Sequence, residues 1–123
     1  RSARKSGVSS YAPVARFSDT LTTEIACKLD EKEQAQAADA TLEATRGAVE
    51  DGAEGPPVGQ SASWTSGTRK NVQGSSTVTG RDEGESEQDC ITVTDVIFVE
   101  SEETRAEKRM CRPPGKARYS LVA

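Results

Sequence analysis

The segment CITVTDVIFV, residues 90–99, carries the strongest secondary-structure signal in this chain of 123 residues. Most of its side chains are β-branched or aromatic, and these types pack well on a pleated, half-buried surface. The segment therefore predicts a long β-strand at the centre of the fold.

The residues that follow predict an antiparallel partner for this strand. If the turn is centred between residues 100 and 101, positions whose numbers sum to 201 face each other, and Cys90 faces Cys111. One face of the hairpin is then largely apolar and the other amphipathic, as a half-buried antiparallel pair requires. A slip of one residue would move every side chain to the opposite face, so the register is strongly specified. The pairs on the apolar face are Ile91 with Met110, Val93 with Lys108, Asp95 with Ala106, Ile97 with Thr104 and Val99 with Glu102.

The facing cysteines predict a disulfide between Cys90 and Cys111. Its loop of about twenty residues would stabilise the fold by roughly 3 kcal/mol on the chain-entropy model, and such bonds persist in oxidising compartments. The alternative is a pair of buried, unpaired thiols. Cys27 has no partner left in the chain, so it is either an idle thiol or a bridge to a second copy in a homodimer.

A segment rich in alanine and glutamate predicts one amphipathic helix over residues 30–49. Asp30 and Glu33 have the spacing of a capping box, which satisfies amide groups of the first turn. The helix must pack on other elements, because an isolated helix with so thin an apolar stripe is marginal. The predicted stripe consists of Ala35, Ala38, Leu42, Thr45 and Val49.

The rest of the chain divides into a tail, a linker and a sheet. Residues 1–28 show no hydrophobic period and predict a flexible tail, and residues 50–59, with a Pro-Pro pair, predict a linker. Residues 60–122 predict about four antiparallel strands. The fold class is therefore α+β, with residues 29–123 as one domain. Valine, isoleucine, leucine and phenylalanine total only 19 residues, so a largely disordered chain is the competing interpretation.

The charge distribution limits the classes of partner that the chain can bind. The formal net charge is −4, with −6 over residues 30–54 and −8 over residues 81–107. Most of this surface would repel phosphate, which argues against nucleic-acid binding. The C-terminal residues 108–123 carry +5, and they predict an interaction patch with two aromatic side chains beside it. Its members are Lys108, Arg109, Arg112, Lys116, Arg118, Trp64 and Tyr119.

Trp64 has two interpretations. As the only indole in a small domain it packs in the core, against Leu42 or the sheet near Ile97. Alternatively it stacks on a sugar ring with Tyr119 beside it, which would make the domain a glycan binder.

No pattern predicts catalysis, a metal or a cofactor. The chain has no histidine, and its carboxylates cluster in solvated segments rather than at the defined separations of a catalytic pair. Three thiols without histidine make a poor zinc site, and the acidic run at residues 100–103 lacks the glycine of a calcium loop. No apolar run is long enough for a membrane-spanning helix. We therefore expect a protein that is not an enzyme and needs no cofactor.

The spacing of several short motifs resembles the C-terminal domain of rickettsial seventeen-kilodalton surface antigens and related proteobacterial outer-membrane proteins. The motifs are LDEKE at residues 29–33, SWTSG at 63–67, Cys90, the MCR at 110–112 with Gly115 after it, and Tyr119 in the place of the family's last aromatic residue. The resemblance covers most of residues 29–122. It implies an envelope-exposed domain of a Gram-negative bacterium.

We therefore expect a non-catalytic protein of the bacterial cell envelope, in the periplasm or at the outer-membrane surface, with a structural or interaction role. The alternative is a soluble periplasmic binding or inhibitory module. Such a module would use its basic patch against an acidic glycan, or its acidic loop at residues 80–89 against a cationic enzyme such as lysozyme.

Overall fold

The computed structural model describes residues 11–46, 55–83 and 89–122. Short helical elements come first: a 3-10 turn at Ala15–Phe17, α1 at Thr23–Ala26 and α2 at Glu31–Ala44. Five strands follow: β1 at Ser61–Thr65, β2 at Val72–Glu83, β3 at Asp89–Val99, β4 at Glu102–Arg112 and β5 at Ser120–Leu121. The predicted α+β class is confirmed, with five strands where about four were expected.

The strands form one antiparallel sheet whose spatial order, β1-β2-β3-β4-β5, is the order of the chain. The predicted register of the central hairpin is confirmed from Val99 opposite Glu102 to Cys90 opposite Cys111. Glu100 and Ser101 both have positive φ, 53° and 83°, as a two-residue type I′ turn requires. This turn matches the right-handed twist of the strands, so it fixes the register.

The predicted disulfide between Cys90 and Cys111 is also confirmed. Side chains alternate between the faces of a strand, so both cysteines lie on the face opposite Ile91 and Met110. Cys27 is half-buried and unpaired in the structure, and its thiol donates a long hydrogen bond of 3.6 Å to the Glu24 carbonyl.

The helix α2 packs on one face of the sheet, over β1 and β2. Its start is as predicted, because the Asp30 side chain accepts from the Glu33 amide at 2.8 Å and the Glu33 side chain accepts from the Asp30 amide at 2.9 Å. The end of the helix differs from the prediction, because α2 stops at Ala44. Val49, the predicted last residue, lies outside the described residues.

The predicted apolar stripe of α2 is correct at Ala38 and Thr45, which are buried, but wrong at Ala35 and Leu42. Ala35 and Leu42 are only half-buried, and the buried face is rotated from the stripe that contains them. The large side chain of Leu42 dominates the sequence pattern, but small residues let the helix approach the sheet closely. The buried face consists of Glu33, Gln34, Ala37, Ala38, Ala40, Thr41 and Ala44.

The tail predicted for residues 1–28 is wrong for residues 11–28; residues 1–10 lie outside the described residues. Leu21 and Ile25 are 5% and 0% exposed and join the core beneath α2. Thr22 caps α1 by accepting from the Ile25 amide. One-turn helices are too short to show a hydrophobic period, which is why the sequence pattern did not reveal them. Of the predicted linker, residues 50–54 lie outside the described residues, and residues 55–59 form no helix or strand.

The core consists of two clusters. The first lies between the helices and the sheet and includes Leu21, Ile25, Leu29, Val72 and Ile97. The second lies towards the disulfide end of the sheet and consists of Val78, Ile91, Val93, Met110 and Tyr119.

Candidate functional site

The structure does not bring the predicted interaction patch together as one surface. Lys108 and Arg112 are each 4% exposed, and Tyr119 is 1% exposed, so these three belong to the interior. Arg109, Lys116 and Arg118 are exposed. An Arg118 Nη2 atom lies 3.3 Å from Asp19 Oδ1. A contiguous basic patch over residues 108–118 is therefore not present.

Lys108 lies at the centre of a buried polar cluster between the helices and the sheet. Its Nζ atom is 2.7 Å from Asp95 Oδ2, and it donates to the Thr20 carbonyl at 2.6 Å and to Thr41 Oγ1 at 2.9 Å. The ammonium group has three protons, and each therefore has one acceptor. Ser76 links the other two side chains of the cluster, because its Oγ lies 2.8 Å from Thr41 Oγ1 and donates to Asp95 Oδ1 at 2.6 Å.

This lysine, serine and aspartate resemble in type the residues of a nucleophilic site, but solvent cannot reach them. The most exposed member, Lys108, is only 4% exposed. Burial lowers the pKa of Lys108, and the neighbouring Asp95 carboxylate partly opposes this effect. Asp95 Oδ2 has no partner other than this ammonium group among the described residues. The cluster therefore connects α2 to β2, β3 and β4 and has no access for a substrate.

A second polar cluster holds Asp89 at the end of the sheet. Asp89 Oδ2 accepts from Arg112 Nε at 3.0 Å and from the Tyr119 hydroxyl at 2.5 Å, and Oδ1 accepts from Arg81 Nη1 at 2.8 Å. The Arg112 guanidinium also lies 4.8 Å from the centroid of the Tyr119 ring. Burial, helped by the bond to Asp89, raises the pKa of Tyr119 to about 12. Arg81 completes the cluster by donating to the Pro56 carbonyl.

A third ion pair fastens the β1–β2 loop to the start of α2. Glu33 is fully buried, and its carboxylate accepts from Arg69 Nε at 2.9 Å and Nη2 at 2.6 Å and from Ser66 Oγ at 2.6 Å. Burial by itself would raise the pKa of Glu33, but the bonds from Arg69, Ser66 and the Asp30 amide outweigh it and lower the pKa. Glu33 is therefore both a capping residue and an internal anion.

Trp64 is half-buried and packs against the first core cluster, which includes Ile97. Its indole crosses Gly74, because a Cβ atom at that position would lie 2.7 Å from ring atoms of Trp64. Tyr119 belongs to the other core cluster. Trp64 thus packs in the way its core interpretation expects, and because Tyr119 lies in the other cluster the two rings do not form one stacking surface.

The face of the sheet opposite α2 carries a shallow groove of about 230 Å³ across β1, β2 and β3. Two rows of directly facing residues form most of it: Ser63, Ser75 and Val96 in one row, and Thr65, Gln73 and Phe98 in the other. Trp64 and Gly74 complete the lining. The sequence pattern predicted strands over these residues but did not reveal this site, because its rows depend on the register between β1, β2 and β3.

Within the described residues, no group of acidic or cysteine side chains is arranged to hold a metal ion. No helix in that part of the chain is long and apolar enough to cross a bilayer.

Comparison with protein-family models, with curated proteins and with solved structures finds no match to this chain.

Proposed function

We propose that this chain is a non-catalytic interaction domain of the bacterial cell envelope, located in the periplasm or at the outer-membrane surface. The observation that carries the proposal is the Cys90–Cys111 disulfide, which joins the two central strands. Structural disulfides persist in oxidising compartments and are rare in the bacterial cytosol. The resemblance of residues 29–122 to envelope surface antigens points to the same location.

The architecture supports an interaction role. The described helices pack on one face of the sheet, and the groove lies on the opposite face. The lysine and serine that resemble reactive groups are enclosed by α2 and the sheet.

The location can be tested by fractionating the source cells and alkylating the unreduced, denatured protein with a mass tag. We expect the protein with the envelope fraction and one tag, on Cys27, out of three cysteines. A bridge between two copies through Cys27 would give no tag and a dimer on a non-reducing gel. Recovery from the cytosol with three tags would contradict the proposal.

A second candidate is a soluble periplasmic module that binds a cationic enzyme such as lysozyme. It is favoured by exposed carboxylates at the end of the central hairpin, among which Arg105 is the one basic residue. We expect binding to lysozyme that weakens with salt, because exposed charges are screened. The carboxylates are those of Glu100, Glu102, Glu103 and Glu107.

A further inference from the structure

We propose that the groove on the outer face of the sheet binds a neutral, hydroxyl-rich ligand, namely one residue of an uncharged glycan. The inference names a ligand class for the interaction role proposed above and rests on it to that extent.

The polar side chains that line the groove have unused hydrogen-bonding capacity. Elsewhere on this face, hydroxyl groups bond across the strands: Ser61 to Thr77 at 3.0 Å and Thr79 to Thr94 at 3.0 Å. The hydroxyls and the amide in the groove have no side-chain partner among the described residues. These unpaired groups belong to Ser63, Thr65, Gln73 and Ser75.

The apolar part of the groove suits the C–H face of a sugar ring. Phe98 is one of the few large apolar side chains exposed in the described chain, at 36%. It lies directly across from Gln73, and Val96 lies directly across from Ser75. An aromatic ring next to short hydroxyls and an amide provides stacking and directional hydrogen bonds together.

The charges around the groove favour an uncharged ligand. None of the groove-lining residues is ionisable. On the next strand, Arg105 and Glu103 continue the two rows, and they bond to each other at 3.0 Å, so they offer no net charge. The groove offers no cation to an acidic glycan. An apolar peptide would remove water from the four polar side chains of the groove without giving them hydrogen-bond partners.

The size of the groove limits the contact to one sugar residue or the end of a chain. Its volume of about 230 Å³ is below the ~300–1,000 Å³ of pockets for drug-sized ligands. We therefore expect millimolar affinity, typical of a few contacts in a shallow site.

The test is an NMR titration of the folded, oxidised chain with chitotriose and maltotriose as neutral probes and trigalacturonate as an acidic probe. We expect saturable shifts of the Gln73 side-chain amide and of Phe98 with at least one neutral probe, and none at these sites with trigalacturonate. Phe98→Ala should weaken binding about tenfold, and Gln73→Ala should weaken it several-fold, whereas Phe98→Tyr should retain it. Val122→Ala, which changes an exposed apolar side chain at the far edge of the sheet, is the matched control.

Four outcomes would overturn the inference. The first is the absence of saturable shifts with both neutral probes, and the second is tighter binding of trigalacturonate. The third is an unchanged affinity of the Phe98→Ala variant. The fourth is that the signals of the groove residues shift when the protein concentration is raised in the absence of sugar. The last outcome would identify a second copy as the occupant. Failure of this test leaves the proposed location standing, because fractionation and thiol counting test the location independently.

Discussion

Asp95 and Lys108 are diagonal neighbours on adjacent strands, and their Oδ2 and Nζ atoms lie 2.7 Å apart on the face of the sheet that carries α2. An ion pair in such a place stabilises little in itself, because both charges lose their hydration. Removing only one of the two residues is strongly destabilising, because the other charge then remains buried without its partner.

Lys108→Met should therefore destabilise the fold by about 3–5 kcal/mol, as measured by urea denaturation. The second substitution Asp95→Asn, added to Lys108→Met, should recover a large part of this loss, because the uncharged amide can still bond Ser76. Strictly additive losses in the double variant would show that the two groups do not interact.

Glu33→Gln should lower stability at pH 7 by about 1–3 kcal/mol, because the charged hydrogen bonds from Arg69 and Ser66 are lost. The folded-state pKa of Glu33 lies below its usual 4.5, so its contribution is present above the unfolded-state pKa and disappears as the pH falls through the folded-state pKa. The difference between variant and parent should therefore shrink below pH ~4.5. Glu31→Gln, in the same helical turn but exposed, is the control and should change stability by no more than about 0.5 kcal/mol.

Tyr119 should ionise near pH 12 in the folded protein, which phenolate absorbance can follow in a Tyr11→Phe background. The folded-state pKa is above the ordinary 10.0, so this group stabilises the fold below pH 10 and loses that contribution as the pH rises towards 12. Tyr119→Phe should abolish the transition. Ionisation of Tyr119 near pH 10 in a chain still folded by circular dichroism would contradict the buried, Asp89-bonded geometry.

Replacing Cys90 and Cys111 by alanine should lower the free energy of unfolding by roughly 3 kcal/mol. Cys27→Ser is the matched control and should leave the melting temperature of the monomer nearly unchanged, since among the described residues this thiol forms only a long hydrogen bond to the Glu24 carbonyl. Equal melting temperatures for the parent and the double alanine variant would show that the disulfide contributes nothing.

Gly74→Ala should cost about 1–3 kcal/mol, because the added methyl group would overlap the indole of Trp64. Tryptophan emission should shift to longer wavelength as the ring is displaced towards solvent. Gly80→Ala is the control on the same strand: its Cβ would meet Thr92 at an ordinary 3.5 Å. If both variants show the same stability and emission, the indole does not lie over Gly74.

The central hairpin could be predicted from the sequence because its signals are local. A run of β-branched residues, a two-residue turn and two cysteines at facing positions all specify one register. The same register also placed Asp95 and Lys108 on the apolar face as diagonal neighbours. The buried ion pair was therefore readable from the pattern, but Lys108 was assigned to an exposed basic patch.

Other parts of the molecule depend on contacts that no local pattern encodes. The buried face of α2 is set by how closely alanine and threonine let the helix approach the sheet. Leu42, the largest apolar side chain of the helix, was therefore wrongly predicted to lie at the centre of that face. The partners of Glu33 and Asp89 come from loops and strands distant in sequence, such as Arg69 and Tyr119. The groove requires three strands in register, so the sequence showed its residues only as ordinary strand positions.

The sheet is a meander in which each strand pairs with its neighbour along the chain. Such nearest-neighbour pairing joins β3 and β4 through a two-residue turn, so this hairpin can form locally, and local pairing of this kind favours rapid folding. The hairpin therefore holds both sulfur atoms side by side as soon as it forms, before the outer strands of the sheet need to be in place.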